Sequence, residues 1–434
     1  MTNTYYNHKQ YLSFIIEKYN NSLKNYNIKL KDELPDTCLS LYESMNVYPI
    51  YPRPIIMPLK KSDEQYDIEL RPNTNLKCDT SQMLSHVKIL NKKLIEFDEF
   101  TSGIDYKNHV EGKMRRFFDY EIRDDIRLKL NTPNISNAWI KMYELLNTYN
   151  LLNTTEQTIN TFHICEHPGG FIHAIKYYIT NQLNKKHDFV FQSLKPGKDP
   201  QIFRADKELL SKYGDKLDYG PKNGDITNSE NILYYQNKYK DRYFNLITSD
   251  CGLDFSENFV VQESGLYRIF FGAFITAISV SSVGSNYIFK MFSFNDPKTI
   301  EFLQLVCLYY ERVDLVRTLT TKSGSGENYI VCINHNGKKD IELLVSYLNE
   351  KNNNKFLLNS IDEKFMKRII IHHQLITMRR IISLNSLIFR FINYEFTAKR
   401  PEILLYVKNL ANYYTNYFAI YIKITSNEKL EIKF

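Results

Sequence analysis

TFHICEHPGGFIHAIKYYI, residues 161–179, runs from an apolar strand ending at Cys165-Glu166, through a turn of Pro168-Gly169-Gly170, into a helix that begins at Phe171. A strand, a glycine turn and a helix in that order form an arrangement that holds nucleotide cofactors. The glycines let the backbone approach a ligand with no Cβ in the way, and the helix N-terminus offers free N–H groups to a carboxylate or phosphate. The same letters also spell a tight βα turn with no ligand, and Pro-Gly-Gly alone leaves that plainer reading ahead.

Outward from this stretch, short apolar runs alternate with helical periods from Asn137 onward, the pattern of a sheet with covering helices. Strands are predicted near 161–165, 189–192, 244–249, 286–291, 313–318 and 329–333, with helices at about 137–150, 171–184, 263–281 and 298–310. The prediction is an α/β, Rossmann-like doubly wound domain over 131–337. Residues 1–130 read as a partly helical N-terminal accessory region with proline-containing connections and a charged amphipathic run, HVEGKMRRFFDYEIRDDIRLKL. Residues 338–434 read as a helical C-terminal region with apolar residues every three or four positions. Its basic residues Lys364, Lys367, Arg368, Arg379, Arg380, Arg390, Lys399 and Arg400 suit an RNA backbone, although a solvated helix face is the commoner meaning of such a run.

A chain of 434 residues has the length of two or three domains. Its 33 tyrosines against one tryptophan follow from AT-rich codons and carry no functional weight. The 56 basic against 49 acidic residues give +7, a modest excess that suits a polyanion only if clustered. The six cysteines, Cys38, Cys78, Cys165, Cys251, Cys307 and Cys332, are scattered without a CxxC pair, and the chain opens on polar MTNTYYNHKQ. A reducing, cytoplasmic setting is the expectation. The most apolar stretch, Leu266 to Val283, carries Arg268 and several hydroxyls, so it predicts a buried helix rather than a membrane span.

Chemistry-bearing residues recur downstream. His163, Cys165 and His167 alternate as strand ligands would, but neither a second Cys/His cluster nor an HExxH helix accompanies them, so no metal is expected. The strand before Ser249-Asp250-Cys251-Gly252 delivers Asp250 at its C-terminal end, where open α/β sheets place their sites. SNYIFKMFSF puts Lys290 inside an apolar strand, a costly place for an ammonium without a partner, although a lysine snorkelling from a strand end reads the same way. TLTTKSGSGENYIVCI sets Glu327 before another strand, and SNAWIKMYELLNTYN sets Lys141 on a helix. Two lysines and two acids converging above the strand ends make one shared site a better explanation than four coincidences.

These motifs resemble FtsJ-like (RrmJ-type) RNA 2′-O-methyltransferases, whose Lys-Asp-Lys-Glu tetrad here reads Lys141, Asp250, Lys290, Glu327. The likeness covers just under half the chain. FHICEHPGG, KNGDIT, SDCGLD, Gln262-Glu263 and TKSGSGENYIVC are similar in turn to motifs of Adrift-type cap methyltransferases and their large-DNA-virus, asfarvirus-like relatives. Cys251 stands where a glycine is usual after the aspartate, Lys322 replaces an arginine, and His163 takes a place where many relatives carry an acid. The resemblance implies S-adenosyl-L-methionine as cofactor, lined by Cys165, Glu166, Pro168, Gly169, Gly170, Phe171, Ser193, Leu194, Asp225, Ile226 and Asp250. It implies methyl transfer to a ribose 2′-OH, with Lys290 as general base or orienting group, Lys141 as the like charge that lowers its pKa, and Asp250 and Glu327 orienting both. The implied substrate is RNA, foremost the capped mRNA 5′ end, with capping or transcription machinery as partners, no membrane, and a viral setting in host cytoplasm or virion. Two alternatives stay open: an rRNA or tRNA 2′-O-methyltransferase, and a non-catalytic RNA-binding scaffold that keeps the fold.

Overall fold

The computed structural model describes residues 55–73, 76–101, 135–197, 206–253, 262–318, 320–321, 325–350 and 355–392. The charged run at 109–130, Lys322, Lys399 and Arg400 lie outside these residues, as do the side chains of Arg379 and Arg390. In chain order the strands are β1 (Ile55–Lys60), β2 (Leu70–Asn73), β3 (Thr158–Ile164), β4 (Lys186–Phe191), β5 (Leu246–Ser249), β6 (Asn286–Met291), β7 (Tyr310–Arg317), β8 (Asn328–His335) and β9 (Phe356–Leu358). The α-helices are α1 (Ser81–Thr101), α2 (Asn137–Tyr149), α3 (Gly170–Tyr177), α4 (Lys207–Tyr213), α5 (Ser229–Tyr239), α6 (Gln262–Val280), α7 (Pro297–Cys307), α8 (Ile341–Asn349) and α9 (Glu363–Ile392).

Seven strands form one sheet in the order β1-β7-β8-β6-β5-β3-β4, and β2 pairs with β9 separately. The β4-β3-β5-β6 half is parallel, whereas β8 runs antiparallel to β6 and β7, and β1 antiparallel to β7. This is a Rossmann-like α/β architecture with an antiparallel wing, and the six strands read from the sequence are all present. The parallel strands are apolar nearly throughout because helices cover both faces; β5, LITS, is buried at every position.

Local chemistry sets the helix ends. Ser136 caps α2, its hydroxyl accepting from the Trp139 N–H at 3.1 Å, and Asn150 ends the helix in the left-handed region at φ 49°. Asp296 caps α7, with Pro297 at the first helical position. The apolar stretch from Leu266 lies in α6, with Phe270, Phe271, Phe274 and Ile278 in the main core. Burying each phenylalanine stabilises by roughly 1.5–3 kcal/mol. Among the described residues no helix is long and apolar enough to cross a membrane.

Three differences from the expected elements have physical reasons. The helix expected over 171–184 is α-helical only to Tyr177 and continues as a π-turn over Tyr178–Gln182, which the apolar periodicity does not register. The strand β1, IIMPLK, alternates buried and half-buried residues with period two, but the prolines around it conceal the pattern. The short helices α4 and α5 are absent from the expected elements, being too short or too polar for periodicity to reveal them, although Asp206 and Asn228 cap them; α8 falls in the C-terminal stretch expected to be helical.

Candidate active site

The chain leaves β3 for β4 at the sheet edge and then returns to β5 on the other side of β3, so a crevice opens above the C-terminal ends of β3 and β5. Cys165-Glu166 follow β3, Gln192-Ser193-Leu194 follow β4, Asp250-Cys251-Gly252 follow β5, and Lys290 is the penultimate residue of β6. Because β8 is antiparallel to β6, its beginning lies at this same end, and Glu327 immediately precedes it. The antiparallel wing thus brings an acid from the start of one strand to the rim where its neighbours finish.

The structure brings Lys141, Asp250, Lys290 and Glu327 together as two ion pairs. Lys141 Nζ donates to both Glu327 oxygens, at 2.7 and 2.8 Å, and the Tyr329 hydroxyl donates to Glu327 Oε1 at 2.6 Å. Lys290 Nζ lies 2.6 Å from Asp250 Oδ1 and 3.3 Å from the Asp250 carbonyl. Burial works to raise the Glu327 carboxyl, but the charges of Lys141 and Lys290 and the bonds it accepts override burial and hold it at about 2. Burial pulls the Lys290 ammonium down, yet Asp250 and Glu327 raise it further, and the net direction is upward. The lowered lysine pKa expected of a general base is therefore not what these surroundings produce; the carboxylates of Asp250, Glu327 and Glu166 outweigh the desolvation. A Cβ at Gly252 would sit 3.4 Å from Lys290 Nζ, so glycine leaves the ammonium approachable from that side.

On the β3 side, Gly169 is the N-cap of α3 at φ 114°, in the left-handed region that favours glycine. The first N–H groups of α3 are not left for a ligand: Glu166 Oε1 accepts from Phe171 N at 2.8 Å and Ile172 N at 3.1 Å. Glu166 Oε2 is buried without a hydrogen-bond partner. Burial and the nearby Asp250 charge push this carboxyl well above the usual carboxylate range. A cationic ligand would offset the burial and the Asp250 charge that keep this carboxyl from ionising, and its second oxygen would then accept from an ammonium. S-Adenosylmethionine carries both an ammonium and a sulfonium, so the donor set fits that cofactor.

Of the other expected cofactor residues, Ser193 Oγ accepts from the His167 N–H at 3.3 Å, which holds the glycine turn against the end of β4. Leu194 is half-buried beyond it, and Pro168 is exposed, its carbonyl accepting from Asp206 N at 3.0 Å. Asp225 spends Oδ1 on Thr227, accepting from its N–H at 2.9 Å and its hydroxyl at 2.7 Å. The Phe171 and Ile226 side chains turn into the cores, so only their backbones face the turn and loop. At Gly224, φ 76°, a Cβ would stand 1.8 Å from the Ser193 carbonyl oxygen, so only glycine lets these two loops meet.

The scattered-thiol reading is corrected at one pair: Cys165 and Cys251 are joined by a disulfide across the ends of β3 and β5, with Cα atoms 4.9 Å apart. The residues are 86 apart in sequence, and parallel pairing of the strands makes them neighbours. His163 is buried, with Thr161 Oγ1 and Thr248 Oγ1 each 2.7 Å from one of its ring nitrogens. Burial keeps that imidazole well below its ordinary pKa. No group of three or more metal-ligating side chains occurs among the described residues.

Two residues of the site escaped the sequence reading. Tyr329 shares a strand face with Glu327 two positions earlier, a period that could have revealed it. Gln192 is buried and spans two loops: its Oε1 accepts from Cys165 N at 3.2 Å and its Nε2 donates to the Gly224 carbonyl.

Residues 135–335 match the family model described as FtsJ-like methyltransferase. An Acanthamoeba polyphaga mimivirus protein named "Uncharacterized protein L511" is 29% identical over 59% of this chain and 32% of its own length. "Probable methyltransferase EP424R" of African swine fever virus (isolate Pig/Kenya/KEN-50/1950) is 28% identical over 48% of this chain and 51% of its own. The "Cap-specific mRNA (nucleoside-2'-O-)-methyltransferase 2" of Drosophila melanogaster is 26% identical over 48% of this chain and 31% of its own. The chain thus spans between about a third and a half of the length of these curated relatives.

Proposed function

We propose that this chain, whose residues 135–335 belong to the FtsJ-like methyltransferases, methylates the ribose 2′-OH of a cap-proximal nucleotide of mRNA. The observation that carries this reading is the convergence of Lys141, Asp250, Lys290 and Glu327 as two ion pairs at one rim of the sheet. The likeness to proteins named as cap-specific methyltransferases and as viral methyltransferases supports the substrate and a viral, host-cytoplasmic setting. S-Adenosylmethionine supplies a methyl group on a positively charged sulfur.

The chain's own residues position the other partner. Lys290, kept as an ammonium by Asp250 and Glu327, donates a hydrogen bond to the ribose 2′-oxygen and points it along the line of attack. As the 2′-oxygen takes up the methyl group, its hydroxyl proton would pass to the Asp250 carboxylate, the member of the Asp250–Lys290 pair able to accept one. Lys141, Glu327 and Tyr329 hold that pair's surroundings fixed, so that little reorganisation is needed at the moment of transfer. Glu166 and the 165–170 turn hold the cationic end of the cofactor, and the loops at 193–194 and 225–226 its nucleoside.

The decisive experiment is transfer of labelled methyl to short RNAs that are guanosine-capped, 7-methylguanosine-capped or uncapped, with the first or second ribose already 2′-O-methylated. Cap-dependent transfer abolished by one pre-methylated ribose is the expected result. Equal transfer to uncapped RNA would overturn the cap assignment, and no transfer to any of them would overturn the activity.

A further inference from the structure

The ammonium of Lys290 has an aromatic neighbour. Phe292 stands two residues further along the chain, the spacing that keeps two side chains on one face of a strand, and Lys290 Nζ lies 5.6 Å from the centre of its ring. Phe292 is half-buried, packed in part against the main core. The phenylalanines on either side of it are committed to other rings. Phe289 lies 5.0 Å from Tyr287 and 5.9 Å from Phe302, and Phe294 lies 6.1 Å from His372 and 5.7 Å from His373, centroid to centroid. Phe292 meets no other ring among the described residues.

The backbone that carries this ring is held on both sides. Asn328, which pairs with Met291 in the sheet, donates from Nδ2 to the Phe292 carbonyl at 3.0 Å and to the Gly326 carbonyl at 2.8 Å. Three residues further on, Glu263 Oε1 accepts from Asn295 N at 2.7 Å and Asp296 N at 2.8 Å, and its Oε2 accepts from Asn295 Nδ2 at 3.1 Å. His373 Nε2 of α9 lies 2.7 Å from Asn295 Oδ1. The acid of the Gln262-Glu263 motif, which has no part in the tetrad, thus fixes the loop that bears Phe292. A ring on so well-held a loop loses little freedom when a ligand settles on it.

We infer that Phe292 is a substrate-binding residue whose ring stacks on the base of the nucleotide that is methylated. The inference rests on the reading of the chain as an RNA 2′-O-methyltransferase. In a ribonucleotide the 2′-hydroxyl and the base are carried by adjacent carbons, so a hydroxyl held at Lys290 Nζ brings its own base within reach of a ring this near that nitrogen. The tetrad offers a nucleotide charges and hydrogen bonds, and Phe292 supplies the apolar face that it lacks. Every base has a π-face, so such a platform orients the nucleotide without selecting among bases. Methylation at that position is then independent of base identity.

The test uses the full chain as wild type, Phe292→Leu and Phe292→Tyr, with short capped RNAs in which the first or second nucleotide keeps its base or carries hydrogen in its place. Methyl transfer gives KM and kcat, fluorescence anisotropy gives binding, and thermal melting with S-adenosylmethionine reports the fold and the cofactor. Phe292→Leu, which keeps an apolar side chain, is expected to raise the KM for intact RNA about tenfold, within the range for one base stacked on an aromatic ring. Its kcat should change less, and the cofactor-induced melting shift should persist. Phe292→Tyr is expected to recover most of the affinity, because the ring returns. Removing the base of the methylated nucleotide should cost wild type a similar factor and Phe292→Leu little more. Full and independent losses from the two changes, or a wild-type KM in Phe292→Leu, would sink the stacking alone. A fall in kcat on intact and base-free RNA alike, with KM kept, would overturn it in favour of a ring that acts only on the Lys290 ammonium. Equal losses in Phe292→Tyr and Phe292→Leu with a lowered melting temperature would overturn it in favour of packing. No transfer by wild type to any RNA would sink the methyltransferase reading; the stacking then stands if Phe292→Leu weakens binding of intact but not base-free RNA, and falls if it does not.

Discussion

The two ion pairs of the site differ in how completely their acids are used. Glu327 receives Lys141 on both oxygens and the Tyr329 hydroxyl as well, and its side chain is 13% exposed. Asp250 meets Lys290 through one side-chain oxygen and its own carbonyl, beside a glycine that leaves the ammonium approachable. A saturated pair has nothing left to offer a substrate and serves as frame, whereas a pair with spare capacity can take part in chemistry. The like number of charges conceals this division of labour.

The largest expected effect comes from the spare pair. Lys290→Ala should lower methyl transfer by about a thousandfold while the cofactor-induced melting shift persists; retained turnover would break the comparison at once. Because the carboxylates hold Lys290 as an ammonium, kcat should stay level from about pH 7 to about pH 9. A steady rise over that range would make it a base with a lowered pKa instead. The frame should show itself in stability. Removing one member of a buried pair costs about 3–5 kcal/mol, so Lys141→Met should destabilise in urea by about that much, and more than Lys290→Met; the reverse order would exchange the two roles.

Acid sharpens the same contrast. Glu327 is held at about 2 against an ordinary 4.5, so its stabilisation is present above about pH 4.5 and is lost as the pH falls toward 2. Wild type should therefore lose roughly 3 kcal/mol over that interval through this group, and Glu327→Gln should lack that part of the slope. The smallest effect is expected farthest from both pairs: Asp225→Ala should weaken S-adenosylmethionine binding about tenfold, about 1.4 kcal/mol, with kcat nearly kept. An unchanged Kd measured by calorimetry would remove Asp225 from the cofactor's surroundings.

The tetrad was legible because each member sits in a recognisable local context: Lys141 on an amphipathic helix, Asp250 at a strand end, Lys290 inside an apolar strand. What the sequence does not encode locally is pairing. Nothing in the order Lys141, Asp250, Lys290, Glu327 says that the first lysine takes the last acid, since that follows from β8 running against β6. The bond between Cys165 and Cys251 was hidden for the same reason, each cysteine being alone in its own segment. The docking of α9 was equally out of reach, because a run of basic and apolar residues gives a helix but not its neighbour. Residues 131–337 as the catalytic unit, with the flanking regions as additions, remain our proposal; β1 from the N-terminal side completes the sheet edge, and α9 from the C-terminal side packs against α1 and β1.

Gln192 shows what a single neutral side chain can specify. The turn after β3 presents an N–H at Cys165, and the loop before Asp225 presents a carbonyl at Gly224. A connector between them must be an acceptor at one tip and a donor at the other, which excludes a carboxylate and an ammonium alike and leaves a carboxamide. Asparagine has the right polarity but is shorter by one methylene. The distance between the two loops is thus written into the choice of one amino acid, and the mouth of the crevice has a width that glutamine measures.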